Sequence, residues 1–454
     1  MRLLLPFLAL VSLFANVESA YVKRSVPKGF VTTRGAEFQL DGSPFAFVGA
    51  NSYWLPLLTS ALDVDSTFRQ MQSAGVKVLR TWGFNAINAS ELAGARQSGL
   101  TYYQVWNNND WTLNDGPDGL QRLDHVIETA AKYDIKVILA FTNNWVGYGG
   151  LELYVDHIMP GASIHDVFYT DPRMIASYQR YVKTIVNRYK NSPTIFAWEM
   201  MNEARCLGDL PSSAGCSAQA GTLSKWYKQQ SGFIRSLDAH HMITTGGEGH
   251  FNWKDPAFSS DYNFNGQAMS QVLVRLYLHL VFSQAGEDFD FDLTLPNVDF
   301  NTYHMYPQTW YPQLDFPGSN FSVESWGLFW IDAHAKAAKK ANKPVILEEF
   351  GITGLGTSQK CVVRPKTNKT SQANKTKIYP SWVGRALDTK HGSIMPWQFG
   401  ALGLKENGGN RLIKYADALI DGASPNDGFA IYKNQTAVWN VFTNAANVQA
   451  ARSV

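Results

Sequence analysis

Two glutamates in one apolar run raise the chemical question. The segment IFAWEMMNEARC, residues 195–206, carries Glu199 inside a stretch that reads as a buried strand and delivers Asn202 and Glu203 at its end. On an extended strand the two acids share a side and stand roughly 13 Å apart at about 3.3 Å per residue. A buried carboxylate needs hydrogen bonds or an opposite charge in place of its water, so Glu199 reads as a structural acid, with an arginine as the fitting partner. Glu203, at the mouth, is placed for chemistry and needs a partner. The run PVILEEFG, residues 344–351, offers Glu348 and Glu349, which alternate to opposite sides of a strand. Both sides of that run are apolar, so periodicity does not say which of the two faces Glu203. Two carboxylates across a cleft suit glycoside hydrolysis, in which one protonates the leaving oxygen and the other attacks the anomeric carbon.

The elements that would position these acids recur along the chain. Eight β-rich apolar runs lie at residues 45–54, 76–84, 135–145, 195–203, 241–249, 298–307, 344–351 and 393–400. Nearly continuous apolar runs mark strands covered on both faces. Helical stripes lie between them: Val64, Phe68 and Met71; Leu120, Leu123, Ile127 and Ala131; and, after the start signal Asp171–Pro172, Met174, Tyr178, Val182 and Ile185. Eight strand–helix units predict an α/β fold, a single (β/α)8 barrel domain over residues 28–454 that opens with a hairpin at 29–42 ahead of the first barrel strand. A doubly wound sheet is the alternative, but it gives no reason for eight runs that each end in polar or aromatic residues.

In such barrels the active site forms where the strands end. The predicted tips are Asn51, Trp54, Arg80, Trp82, Asn143, Trp145, Asn202, Glu203, Glu248, His304, Tyr306, Glu349 and Trp397. Acids, an arginine, a histidine, amides and tryptophans at one end make a carbohydrate cleft a better reading than salt-bridged scaffold.

At these residues the chain resembles a known family. RTWGFN, WEMMNE, TYHMYP, LEEFG and PWQFG occur in the order found in glycoside hydrolase family 5, most like its fungal endo-β-1,4-mannanases, over nearly the whole chain after the leader. The resemblance implies a retaining double displacement on mannan, glucomannan and galactomannan. It makes Glu203 the acid/base, with a raised pKa, and Glu349 the nucleophile, with Glu348 facing away. It puts Arg80, Asn202, His304, Tyr306 and Trp397 around the two acids and Trp82 on the sugar; Trp54, Trp145 and Trp82 are candidate outer platforms. It implies no cofactor. Another retaining β-glycanase, such as a cellulase, and a non-catalytic carbohydrate-binding barrel are the alternatives.

The remaining features concern compartment and partners. MRLLLPFLALVSLFANVESA reads as a secretory leader of residues 1–20, followed by a pro-segment ending at Lys23–Arg24, so a secreted, soluble monomer is expected. Five sequons, at Asn88, Asn320, Asn368, Asn374 and Asn434, accord with export. Asn368 and Asn374 lie in RPKTNKTSQANKTK, which reads as a surface loop, so these two are the sequons expected to carry glycans. Cys206 and Cys216 flank a loop rich in Gly, Pro and Ser and are expected to pair, which leaves Cys361. No His or Cys cluster has ligand spacing, so no metal is expected. A net charge of +2 argues against nucleic acid, acidic polymers and membrane surfaces as partners.

One segment does not fit. GQAMSQVLVRLYLHLVFSQA, residues 266–285, interrupts the chain between the fifth and sixth runs, and Arg275 is the only Asp, Glu, Lys or Arg between Tyr262 and Gly286. Its apolar part, Val272–Phe282, is too short to span a bilayer. It reads as an insertion, a lid over the cleft or, the favoured reading, an unspliced intron carried into the translated sequence.

Overall fold

The computed structural model describes residues 26–252, 285–311, 314, 322–353, 368–406 and 422–453. Cys361, Asn320 and nearly all of the 266–285 segment lie outside the described residues.

All eight apolar runs form strands. They are β1 Phe47–Asn51, β2 Val76–Trp82, β3 Lys136–Ala140, β4 Ile195–Glu199, β5 Met242–Thr244, β6 Asn301–Met305, β7 Val345–Phe350 and β8 Ser393–Ile394. They pair in parallel in the order β5-β4-β3-β2-β1-β8-β7-β6. The seam between β5 and β6 is bridged by the Asp299 N–H to the Ile243 carbonyl (2.9 Å) and the His304 N–H to the Glu248 carbonyl (3.2 Å). The fold is a (β/α)8 barrel.

The outer layer contains α1 Ala61–Ser73, α2 Leu120–Lys132, α3 Pro172–Tyr189, α4 Thr222–Leu237, α5 Val323–Ala341, α6 Asn368–Asp388 and α7 Thr436–Ala451. After β5 only the short helix Phe289–Asp292 is described. The start of α3 is set as its sequence suggests: the Asp171 carboxylate accepts the Arg173 N–H and Pro172 takes the first turn. The stripe on α2 turns in one residue earlier than expected, with Ala130 buried and Ala131 exposed.

The hairpin pairs Val31–Arg34 with Glu37–Leu40 and adds a third strand, Ser43–Pro44. Its Phe38 enters the N-terminal end of the barrel, with its ring edge-on to Phe196 at 5.1 Å and to Phe300 at 5.2 Å. These rings, with Val78, Ile138, Ile346 and Met395, form a closed apolar floor. Polar side chains can therefore converge only at the opposite, C-terminal end.

Helix α6 corrects an expectation. The stretch from Asn368 onward is not a surface loop, and Asn374 is only partly exposed. Tyr379, Trp382, Val383 and Ala386, downstream on the same helix, are buried. Burial of that apolar face pulls the polar residues before it into helical register.

Candidate active site

Arg80, on β2, is fully enclosed and organises the end of the barrel. Its Nε and Nη2 donate to Oε2 and Oε1 of Glu199, each at 2.7 Å. Nη2 also donates to Oδ1 of Asn202 at 2.7 Å, and Nη1 donates to Oδ1 of Asn51 at 3.1 Å and to Glu349 Oε1. Glu199 is thus the arginine-held buried acid expected of it. Burial pushes its pKa up, against the pull of Arg80.

The extended spacing expected between Glu199 and Glu203 does not apply. Strand β4 stops at Glu199, and Glu203 takes a left-handed backbone conformation (φ 52°) with its N–H donated to the Gly246 carbonyl at 2.8 Å. Such a φ is uncommon outside glycine and costs on the order of 1 kcal/mol. Here it turns the side chain into the cleft.

Two neighbours hold the Glu203 carboxyl. Trp145 donates its indole N–H to Oε2 at 2.6 Å, and His304 Nδ1 lies 2.8 Å from Oε1. Tyr306 donates its hydroxyl to Oε2 of Glu349 at 2.7 Å. An oxygen of Glu203, an oxygen of Glu349 and a nitrogen of His304 lie within 4.8 Å of one another. Burial pushes the pKa of Glu349 up, opposed by His304 and Arg80. Burial alone would lower that of His304, but the carboxylates of Glu349, Glu203 and Glu348 outweigh it and hold the imidazole well above its ordinary value.

Glu348 does not face away. It is fully buried, with Oε2 at 3.4 Å from both Arg80 Nε and His304 Nε2. The β6–β7 register pairs Tyr303 with Leu347 and His304 with Glu349, so Glu348 is the extra residue of a bulge. A bulge breaks the alternation of sides, and consecutive glutamates both turn inward.

The cleft, about 510 Å³, is lined by Trp82, Asn143, Trp145, Asn202, Glu203, Glu248, Tyr306, Glu349 and Trp397, all predicted tips. Trp397 stacks on Tyr53 (centroids 5.4 Å, planes 9° apart) and donates its indole N–H to Asp427 at 2.7 Å. Trp54 is not a platform: it is fully buried in the main core. Trp145 is more than a platform, since it bonds Glu203. Seven lining residues were not singled out from sequence: Tyr53, Tyr148, Arg205, Thr309, Trp310, Asp427 and Phe429. Arg205, two residues after Glu203, pairs with Glu248 through Nε and Nη2 and lies 5.4 Å from the Trp145 ring centroid. Its place beside Glu203 was the available signal. Asp427 and Phe429 sit in a long segment with no periodicity to flag them. Cys206 and Cys216 form a disulfide beside the site, with a Cα–Cα distance of 5.7 Å.

Comparison with known proteins gives a consistent picture. The family model described as GH family 5 beta-mannosidase-like matches residues 28–263 and 281–452. A probable mannan endo-1,4-beta-mannosidase A-2 from Aspergillus terreus is 34% identical over 408 residues, covering 90% of this chain and 83% of that protein. Mannan endo-1,4-beta-mannosidase F from Aspergillus clavatus is 35% identical over 91% of this chain and 77% of its own. The crystal structure of an endo-1,4-beta-mannanase from Rhizomucor miehei superposes with a TM-score of 0.72 at 33% identity, covering 93% of this chain and 99% of that one.

Proposed function

The chain belongs to glycoside hydrolase family 5, and from that premise we propose that it is an endo-acting, retaining β-1,4-mannanase. The observation that carries the reading is the pair Glu203 and Glu349, whose nearest oxygens lie within 4.8 Å in a cleft walled by Trp82, Trp145 and Trp397. Retaining pairs stand about 5–5.5 Å apart, whereas inverting pairs need about 6.5–9.5 Å to admit a water. The names of the Aspergillus and Rhizomucor relatives support mannan as the polymer.

In the first step Glu349 attacks the anomeric carbon while Glu203 gives its proton to the glycosidic oxygen, and the leaving chain departs with a free hydroxyl. In the second, Glu203 takes a proton from water, whose oxygen displaces Glu349 from the sugar. Arg80 and Tyr306 hold Glu349 by its two oxygens, His304 and Trp145 hold Glu203, and Asn202, itself bonded to Arg80 and Asn143, is the residue assigned to the sugar 2-hydroxyl. Trp397 forms the floor at the cleavage point and Trp82 a further sugar contact. The substrates are mannan, glucomannan and galactomannan. Export is supported by the leader-like residues 1–20 and the Cys206–Cys216 disulfide. No described helix is long and apolar enough to cross a membrane.

Reducing-sugar release from mannan and from carboxymethylcellulose, measured side by side, tests the proposal. Release from mannan with the β-anomer as first product is expected. Preferential cleavage of the cellulose derivative, or an α-anomer first, overturns it.

A further inference from the structure

Lys375, on α6, is only 2% exposed. A buried ammonium costs several kcal/mol unless its protons find acceptors. Here all three acceptors are successive backbone carbonyls: Nζ donates to Gly428 O (3.2 Å), Phe429 O (2.7 Å) and Ala430 O (3.3 Å). Three donors meet three acceptors. Gly428 has φ 97°, a conformation that favours glycine. Burial pushes the Lys375 pKa down to about 8, with Asp427 opposing.

The clamped segment touches the site twice. Asp427 accepts the Trp397 indole N–H at 2.7 Å through Oδ2, and its Oδ1 accepts the Phe429 N–H at 3.0 Å. The Phe429 ring stands edge-on to Tyr306 at 5.4 Å, and Tyr306 donates to Glu349. We propose that Lys375 is a positioning residue: by gathering the carbonyls of Gly428, Phe429 and Ala430, it fixes the loop that orients Trp397 through Asp427 and Tyr306 through Phe429. The inference rests on the β-mannanase reading of the cleft. It adds a cation outside the cleft lining on which the geometry at the reacting sugar depends.

The test is a double-mutant cycle in the full-length protein, with Lys375→Met, Asp427→Asn and the pair, assayed on β-mannan. Trp397 and Tyr306 act at the reacting sugar, so Lys375→Met should lower kcat about tenfold and change KM by less than about twofold. The double variant should be no worse than the worse single one, because both break one chain of contacts. Losses that multiply, an unchanged kcat, or a kcat loss matched by an equal loss of folded protein would overturn the proposal. If the Met variant does not fold, Lys375→Gln takes its place in the cycle under the same criteria. Hydrogen exchange reads the clamp without any substrate: backbone amides of residues 427–432 should exchange faster in the variant, and unchanged exchange refutes the clamp. A wild type that releases no sugar from mannan sinks the parent reading instead, and the exchange result still decides the clamp.

Discussion

The indole N–H of Trp145 is donated to Oε2 of Glu203 at 2.6 Å, while His304 Nδ1 lies 2.8 Å from the other oxygen. The carboxyl is thereby held at both ends. Trp145→Phe keeps an aromatic ring, though a smaller one, and removes the donor, so the acid is less well aimed. It should lower kcat about tenfold, with a circular dichroism spectrum and melting temperature close to wild type. Wild-type kcat in Trp145→Phe would show that the bond does not orient Glu203.

Glu203→Gln and Glu349→Gln should each lower activity on mannan by at least about 10²–10⁴-fold while remaining folded. Added azide, which needs no general base, should restore turnover to Glu203→Ala on an activated aryl mannoside and yield the β-mannosyl azide. Unchanged rates in either glutamine variant would remove that residue from the chemistry.

Glu199→Gln leaves Arg80 with one paired charge fewer in a fully buried site. Removing one partner of such a pair costs about 3–5 kcal/mol. Urea unfolding should show a loss of that order, and a midpoint equal to wild type would mean that the pair adds nothing to stability.

Glu287 and Asp292 are buried acids whose pKa values burial pushes from 4.5 and 3.8 up to about 8. Between those values the folded protein keeps protons that the unfolded chain has released, so the contribution of these two groups to stability falls as pH rises from about 4 towards 8. His250, His334 and His391, buried with lowered pKa values, act in the opposite sense below about 6.5. The slope is at most about 1.4 kcal/mol per pH unit for each group. His304, held protonated in the fold, acts in the same sense above its ordinary pKa of 6.5. Glu287→Gln should lose less melting temperature between pH 5 and pH 8 than wild type. An equal or steeper fall in the variant would contradict the assignment to Glu287.

Peptide mapping of the exported protein tests the described sequons and the 266–285 segment together. The Asn88 amide donates to Glu91 at 3.2 Å and its Oδ1 lies 2.6 Å from His157 Nε2; the Asn374 amide nitrogen is buried; Asn434 is exposed. A glycan is expected on Asn434 and not on Asn88 or Asn374, and the reverse occupancy would contradict these placements. The family match stops at 263 and resumes at 281, as it would for an insertion of any origin; the intron reading predicts no peptide covering Leu276–Ala285. Recovery of that peptide would refute it.

Much of the site was legible in the chain because a parallel barrel turns order along the sequence into position in space. Each apolar run becomes a strand, and the polar residues just past it must gather at one end. Arg80, Asn202, Glu203, His304, Tyr306, Glu349 and Trp397 follow from that rule and from the family's motifs, and Glu199 follows from the cost of burying a charge. Other features depend on contacts between segments far apart in the chain. Glu348 turns inward because β7 bulges against β6, and no periodicity within LEEFG encodes a register set by its neighbour. Trp54 is buried and Trp145 lines the cleft because the packing partners differ, not the residue type. The polar stretch around Asn374 is helical because the apolar residues after it dock on the barrel, and only that docking brings the Lys375 ammonium to the carbonyls of Gly428, Phe429 and Ala430, more than fifty residues away. Strand order is local information read along one segment; which face a side chain presents, and what covers it, is decided by segments that meet only in the fold.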